Sequence, residues 1–141
     1  MARKPRSVSP QVLLAWVVLA AVSITPSTIL ATKSTKFMVG DSRGWDQGVD
    51  YVTWAKGKTF HVGDKLVFLY SETVHNVFKV TKHQYQNCTI PSSAKHALTS
   101  GYDIVKLTSP GKKWYICGMA DHCATGGQKL AINVKPSKHH H

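Results

Sequence analysis

Short apolar runs separated by turn residues make up most of the chain after residue 33. Alternation of apolar and polar side chains over a few residues is typical of half-buried β-strands, and no segment longer than about ten residues has a convincing helical period. Seven or eight such strands predict an all-β fold in which two sheets pack as a β-sandwich. The predicted strands are residues 37–39, 51–54, 59–62, 65–70, 76–80, 103–107, 113–116 and 129–134.

Residues 81–100 have the weakest strand pattern. The segment is rich in polar side chains around His83 and contains Cys88 and Pro91. We expect a short helix near residues 82–87, followed by a loop. Trp45, Trp54 and Trp114 are interpreted as core and rim packing rather than as a platform for stacking bases.

The N-terminus has the pattern of a secretory signal peptide. A basic start, MARKPRSVSP, precedes the apolar run at residues 12–22, and small residues follow near Ala31. The alternative is a membrane anchor, but a helix that spans a bilayer needs roughly 20 apolar residues. We predict a signal peptide over residues 1–31, cleaved between Ser27 and Thr32, a domain over residues 32–135 and a disordered tail over residues 136–141 that contains three terminal histidines.

The charge of the predicted mature chain is strongly positive. Three of the 18 basic residues and none of the seven acids lie in the leader, which leaves a net charge of +8 with neutral histidines. The lysines are scattered, so nucleic acid is not the expected partner. A basic secreted protein can bind acidic cell-wall polymers or acidic protein faces, although solubility alone also explains the charge. The C-terminus has no second apolar run, so a secreted monomer without a lipid anchor is expected.

Three cysteines, Cys88, Cys117 and Cys123, leave one thiol over if a disulfide forms. The pairings 88–117, 88–123 and 117–123 are all open from the sequence. A free thiol that persists outside the cell usually has a chemical role. The third cysteine is therefore a candidate ligand or nucleophile.

The segment CGMADHCATGGQ at residues 117–128 places a thiol and an imidazole in one loop. Cys117 and His122 can reach one ion from a single turn, and His75 is the best candidate for a third ligand. One thiolate with two imidazoles and a weak axial ligand is the donor set of a blue-copper site. Zinc would need a further pair of cysteines. A catalytic Cys–His pair, or structural disulfides with an idle thiol, would also account for these residues.

Several segments together resemble the phytocyanins, which are plant type 1 copper proteins. The matching segments are MVGDSRGW at 38–45, WAKGKTFHVGDKLVFLY at 54–70, VHNVFKV at 74–80 and WYICGMADHCATGGQKLAINV at 114–134, together with the region of Cys88. The similarity covers about residues 33–135. It is greatest to the basic blue, or plantacyanin, branch, with features of the uclacyanins and stellacyanins.

The resemblance implies a Greek-key β-sandwich of the cupredoxin type that binds one copper ion. It implies His75, Cys117 and His122 as the strong ligands and a disulfide between Cys88 and Cys123. Electrons would enter and leave through the exposed edge of His122. The resemblance also suggests that Asn76 forms a hydrogen bond to the segment of Cys117 and holds the two loops together.

The axial ligand is where the chain departs from the phytocyanin pattern. Family members carry Met or Gln with four residues between it and the second histidine, and here that position is Gly127. Gln128 is one residue later. Either one extra residue among residues 124–127 bulges out and Gln128 binds, or the axial position is empty. Paired glycines make a bulge inexpensive, so we predict Gln128 as the ligand.

The function predicted from the sequence is one-electron transfer outside the cell by a type 1 copper protein that is not an enzyme. The redox partner, whether a protein or a small molecule, is unknown. The alternative is a non-redox cell-wall module with a basic surface and a structural disulfide. A single type 1 site lacks the additional coppers of an oxidase. Asn87 begins an N-x-T glycosylation motif, and His61, His83, His96 and Asp121 are interpreted as surface or structural residues.

Overall fold

The computed structural model describes residues 33–92 and 96–138. The predicted signal peptide, its cleavage point and the three terminal histidines lie outside these residues and stay predictions. Within the described residues, no helix combines the length and the hydropathy that crossing a bilayer requires.

Seven strands form two sheets, which confirms the predicted all-β sandwich. One sheet has three strands in the order β1-β3-β5, and the other has four in the order β2-β7-β6-β4. The pairs β1–β3 and β2–β7 are parallel, and the remaining pairs are antiparallel. The strands are β1 (Lys36–Met38), β2 (Phe60–His61), β3 (Lys65–Leu69), β4 (Phe78–Val80), β5 (Tyr102–Lys106), β6 (Gly111–Ile116) and β7 (Lys129–Lys135).

Large aromatic side chains join the two sheets. Phe68 of β3 and Tyr115 of β6 have ring centroids 5.5 Å apart, and Trp45 meets Phe68 edge-on at 5.2 Å. All three are almost completely buried. Burying a side chain of this size contributes about 1.5–3 kcal/mol, so these contacts are a large part of what holds the sheets together.

The prediction of a strand at residues 51–54 is wrong, because this segment is the helix α1 (Tyr51–Lys56). The carboxylate of Asp50 accepts a hydrogen bond from the backbone N–H of Thr53 and caps the helix. Tyr51 and Trp54 are three residues apart, so they lie on one face of the helix and are both buried. Six residues are too few to reveal that period in the sequence.

The predicted short helix near residues 82–87 is confirmed as α2 (Lys82–Asn87). Thr81 and Gln84 form a reciprocal capping box, in which each side chain accepts from the other residue's backbone N–H. The helix ends at Cys88, which has a left-handed backbone conformation. This conformation ends the helix, and the N–H of Cys88 donates the closing hydrogen bond to the carbonyl of Gln84.

A disulfide joins Cys88 to Cys123, as the family resemblance implied. The bridge ties the end of α2 to the connection between β6 and β7. Cys123 packs in a small apolar cluster with Phe78, Val80 and Ile116. The bridge thereby fixes the loop that contains His122 against the sheet.

Replacing both bridged cysteines by alanine should lower the free energy of unfolding by about 3–4 kcal/mol. The bridge closes a loop with a sequence separation of 35, and loops of that size restrict the unfolded chain by about this amount. Urea unfolding followed by tryptophan fluorescence measures the change. Reduction of the wild-type bridge should give a similar loss, and unchanged stability in both cases would contradict the prediction.

Candidate metal centre

Three side chains from two connections meet at one end of the sandwich. His75 lies between β3 and β4, Cys117 directly follows β6, and His122 lies between β6 and β7. The Nδ1 atoms of the two histidines are 3.1 Å apart. The Sγ of Cys117 lies 4.0 Å from Nδ1 of His75 and 3.6 Å from Nδ1 of His122. Because metal–nitrogen and metal–sulfur bonds are about 2.0–2.3 Å long, one ion can contact all three atoms.

Backbone hydrogen bonds hold the loop between β6 and β7 around this cluster. The N–H of Cys117 donates to the carbonyl of Gln128 at 3.0 Å, and the N–H of Gln128 donates to the carbonyl of His122 at 2.9 Å. His122 in turn donates to the carbonyl of Met119. The loop therefore begins and ends at neighbouring positions of the sheet, with His122 turned back towards Cys117.

Asn76 joins the two ligand-bearing connections, as the resemblance suggested. Its side-chain oxygen accepts a hydrogen bond from the backbone N–H of Gly118 at 2.7 Å. Its carbonyl accepts from the indole N–H of Trp45 at 3.0 Å. A Cβ at position 118 would lie 2.5 Å from a ring carbon of Phe78, so glycine is required for this close approach.

Asp46 orients His75 from the opposite side. Its carboxylate lies 3.2 Å from Nε2 of His75. The Tyr51 hydroxyl accepts from the backbone N–H of Asp46 at 2.7 Å and so fixes that segment against α1. A carboxylate beside one ring nitrogen favours a proton there and leaves the other nitrogen free to act as a ligand. Sequence reasoning missed Asp46, because it lies far from His75 along the chain and no motif links the two residues.

The thiol of Cys117 is free and buried. Burial raises its pKa, because the thiolate loses its solvation, and backbone N–H groups at Asn76 and Met119 offset only part of this effect. A bound cation would offset the rest, since it stabilises the thiolate directly. The donor set of one thiol and two imidazoles thus fits a soft or borderline metal ion.

Gln128 is fully buried beside these ligands. Its side-chain nitrogen donates to the carbonyl of Trp45 at 3.1 Å, while its side-chain oxygen is buried without a hydrogen-bond partner. Buried polar atoms nearly always have a partner, so the orphaned oxygen is available to contact a bound ion. The side chain therefore fits a weak fourth ligand.

The extra residue before Gln128 is absorbed by the turn that precedes it. The N–H groups of Thr125 and Gly126 both point to the carbonyl of Asp121, at 2.8 and 3.3 Å. Gly127 has a positive φ of 63°, which a glycine adopts without strain. A Cβ on Gly126 would lie 2.7 Å from the backbone carbonyl oxygen of His122, which is closer than a Cβ can approach without a shift of the turn. Both glycines are thus needed to place Gln128 in the core.

His61, His83, His96 and Asp121 are not part of the centre. Among the described residues, the one group of three or more His, Cys, Asp and Glu side chains able to hold a metal ion is His75, Cys117 and His122. His61 lies instead near Asp64, with 3.9 Å between Nδ1 and a carboxylate oxygen. Asn87 is exposed, and its glycosylation stays a prediction.

A Cys–His–His cluster, with His75 and Cys117 buried and His122 partly exposed, at the end of a two-sheet sandwich is characteristic of the cupredoxin-like class of proteins. Residues 45–127 match the family model described as a plastocyanin-like domain. The chain belongs to this family, and its relatives include blue copper proteins, stellacyanin, basic blue proteins and a uclacyanin, so the branches named from the sequence are all represented.

Relatives and solved structures match most of the described domain. A blue copper protein from Petunia hybrida is 52% identical over 78% of this chain and 41% of its own length. The chain therefore spans less than half of the length of the Petunia relative. Blue copper protein 1b from Medicago truncatula is 44% identical over 84% of this chain and 72% of its own length. Cucumber stellacyanin with Cu²⁺ superposes with a TM-score of 0.69 at 35% identity, over 75% of this chain and 99% of that one.

Replacing Asn76 by alanine should lower the free energy of unfolding by about 1–3 kcal/mol, because the N–H of Gly118 would be left without its partner. Chemical denaturation of the metal-free protein measures this effect without interference from bound metal. The matched control is Asn87→Ala, whose side chain is exposed and bonds only to the carbonyl of His83. A loss no greater than that of the control would contradict the role of Asn76.

Proposed function

We propose that this chain is a one-electron carrier that holds one type 1 copper ion. His75, Cys117 and His122 would be the strong ligands and Gln128 the weak axial one. Copper, when bound, supplies a reversible change between its divalent and monovalent states. The observation that carries the proposal is the cluster of two Nδ1 atoms and one Sγ within 4.0 Å of one another.

The contribution of the chain is a donor set that the fold assembles by itself. The two ligand-bearing connections are joined by Asn76, and the disulfide fixes the loop of His122. Divalent and monovalent copper prefer different arrangements of ligands. A scaffold that holds one arrangement reduces the movement needed for each electron transfer, which supports fast exchange.

The two histidines have different surroundings, and this difference gives them different roles. His75 is buried and faces Asp46, whereas His122 is partly exposed. Asp46 would keep a proton on Nε2 of His75, so that Nδ1 faces the ion. The exposed edge of His122 would be the route for electrons. Val74 and Met119, each adjacent or close in sequence to a ligand, are exposed and would form an apolar surface for a redox partner.

The setting proposed for this activity is outside the cell. The basic and apolar leader pattern at residues 1–31 and the disulfide support secretion. A small redox molecule or a partner protein would supply and accept the electron. In this role the protein would pass electrons without transforming a substrate chemically.

Copper loading of the purified protein should produce an intense visible band from thiolate-to-copper charge transfer. Cys117→Ser should abolish this band, because serine supplies no thiolate. The matched control Met119→Leu changes an exposed neighbour within the same loop and should keep the band. A colourless wild-type protein after loading with the disulfide intact would overturn the proposed function and favour a non-redox extracellular module.

Replacing Gln128 by methionine should raise the reduction potential. An amide oxygen is a harder ligand than a thioether sulfur and stabilises divalent copper relative to monovalent copper. Protein-film or solution voltammetry of the copper-loaded variants measures the shift, with Met119→Leu as the control. An unchanged potential in Gln128→Met would show that Gln128 is not a ligand.

A further inference from the structure

A shallow trough crosses the outer face of the four-stranded sheet, away from the candidate metal centre. Its floor is formed by Ala131 and Asn133, two outward-facing residues of β7. Two adjoining depressions of about 440 and 270 Å³ share these residues. Each is of the order of a small-ligand site, and because they adjoin, the trough suits an extended ligand.

The two sides of the trough have different side chains. Val52, Ala55 and Lys56 of α1 lie along one side. Trp114 of β6, partly exposed and directly opposite Ala131, lies along the other. Because the side chain of Ala131 is small, the indole of Trp114 projects beyond the floor of the trough. An aromatic ring beside a low floor is a surface on which a flat apolar face can pack.

The charge of the trough is entirely positive. Lys56 and Lys135 line the larger depression, and Lys82 and Lys112 line the smaller one. All four are exposed, none of them forms an ion pair among the described residues, and neither depression is lined by Asp or Glu. A fifth lysine, Lys58, is already engaged with Asp41. A concave surface lined by one sign of charge concentrates ligands of the opposite sign.

Side chains, rather than the backbone, face a ligand that lies across the trough. β7 pairs with β6 along residues 129–134, whereas its ladder with β2 covers Val134 and Lys135 alone. Main-chain N–H and C=O groups lie in the plane of a sheet, and side chains stand out from its faces. The groups available for recognition on this face are therefore the lysine ammonium groups, the amide of Asn133 and the ring of Trp114.

We propose that this trough binds an acidic oligosaccharide. The lysines on its two sides would pair with successive carboxylate or sulfate groups, and the amide of Asn133 can both donate to and accept from sugar hydroxyls. The C–H face of a sugar ring packs on the indole of Trp114 through dispersion. The ligand class is thus a chain of anionic sugars, and none of the four proposed copper ligands lines the trough.

The test measures binding of oligogalacturonate by isothermal titration calorimetry at physiological salt. The triple variant Lys56→Gln, Lys112→Gln and Lys135→Gln should weaken binding roughly tenfold, since exposed charge pairs are individually weak and three of them are removed together. Trp114→Ala should weaken it several-fold, and Trp114→Phe should retain most of the affinity because an aromatic face remains. The copper-free protein serves equally well, so the result is independent of the proposed electron transfer.

The matched control is a second triple variant with the same net charge. Lys36, Lys65 and Lys106 lie in one cross-strand row of the three-stranded sheet, so their replacement by glutamine removes three clustered charges elsewhere. This variant should bind like the wild type. Equal weakening by both triple variants would show diffuse charge attraction and overturn the site.

Further probes identify the ligand class. A sulfated oligosaccharide that binds more tightly than oligogalacturonate, with the same dependence on Trp114, would support the trough and assign the anion as sulfate. Stronger binding of a poly-aspartate peptide than of either sugar would overturn the proposal in favour of an acidic protein partner. Absence of binding by all these probes would overturn it altogether.

Discussion

The hydrogen bond between the side chain of Asn76 and the backbone of Gly118 is the interaction on which the centre depends. His75 and Cys117 are 42 residues apart and belong to different connections, so no local structure brings them together. The 2.7 Å bond joins the two connections one residue beyond each ligand. The carbonyl of Asn76 also accepts a hydrogen bond from the buried indole of Trp45. The junction between the two connections is therefore built by the protein fold and does not require a bound ion.

The sequence indicated most of the strands and two of the three clustered side chains because these features follow local patterns. Alternating side chains indicate a strand such as β7, and Cys117 and His122 share one short loop. The prediction for residues 51–54 was wrong because the helical period of α1 spans only two buried residues, Tyr51 and Trp54. The role of Asp46 could not be predicted, since its contact with His75 exists only after the chain has folded.

The position of Gln128 shows how an extra residue can preserve a site. Counting from His122 places glycine where the family has a ligand, yet the side chain of Gln128 is fully buried with an orphaned oxygen. A turn closed on Asp121 and a left-handed Gly127 absorb the additional length. Counting residues alone would therefore have pointed to Gly127, whereas the structure buries the side chain of Gln128.

The two strands β6 and β7 serve two surfaces at once, because side chains alternate between the faces of a sheet. Their inward residues, such as Tyr115 and Leu130, build the core that supports the metal centre at the end of the sandwich. Their outward residues, such as Trp114 and Asn133, line the trough. None of the four proposed copper ligands lines the trough, so an acidic polymer bound there would occupy side chains other than those proposed for electron exchange.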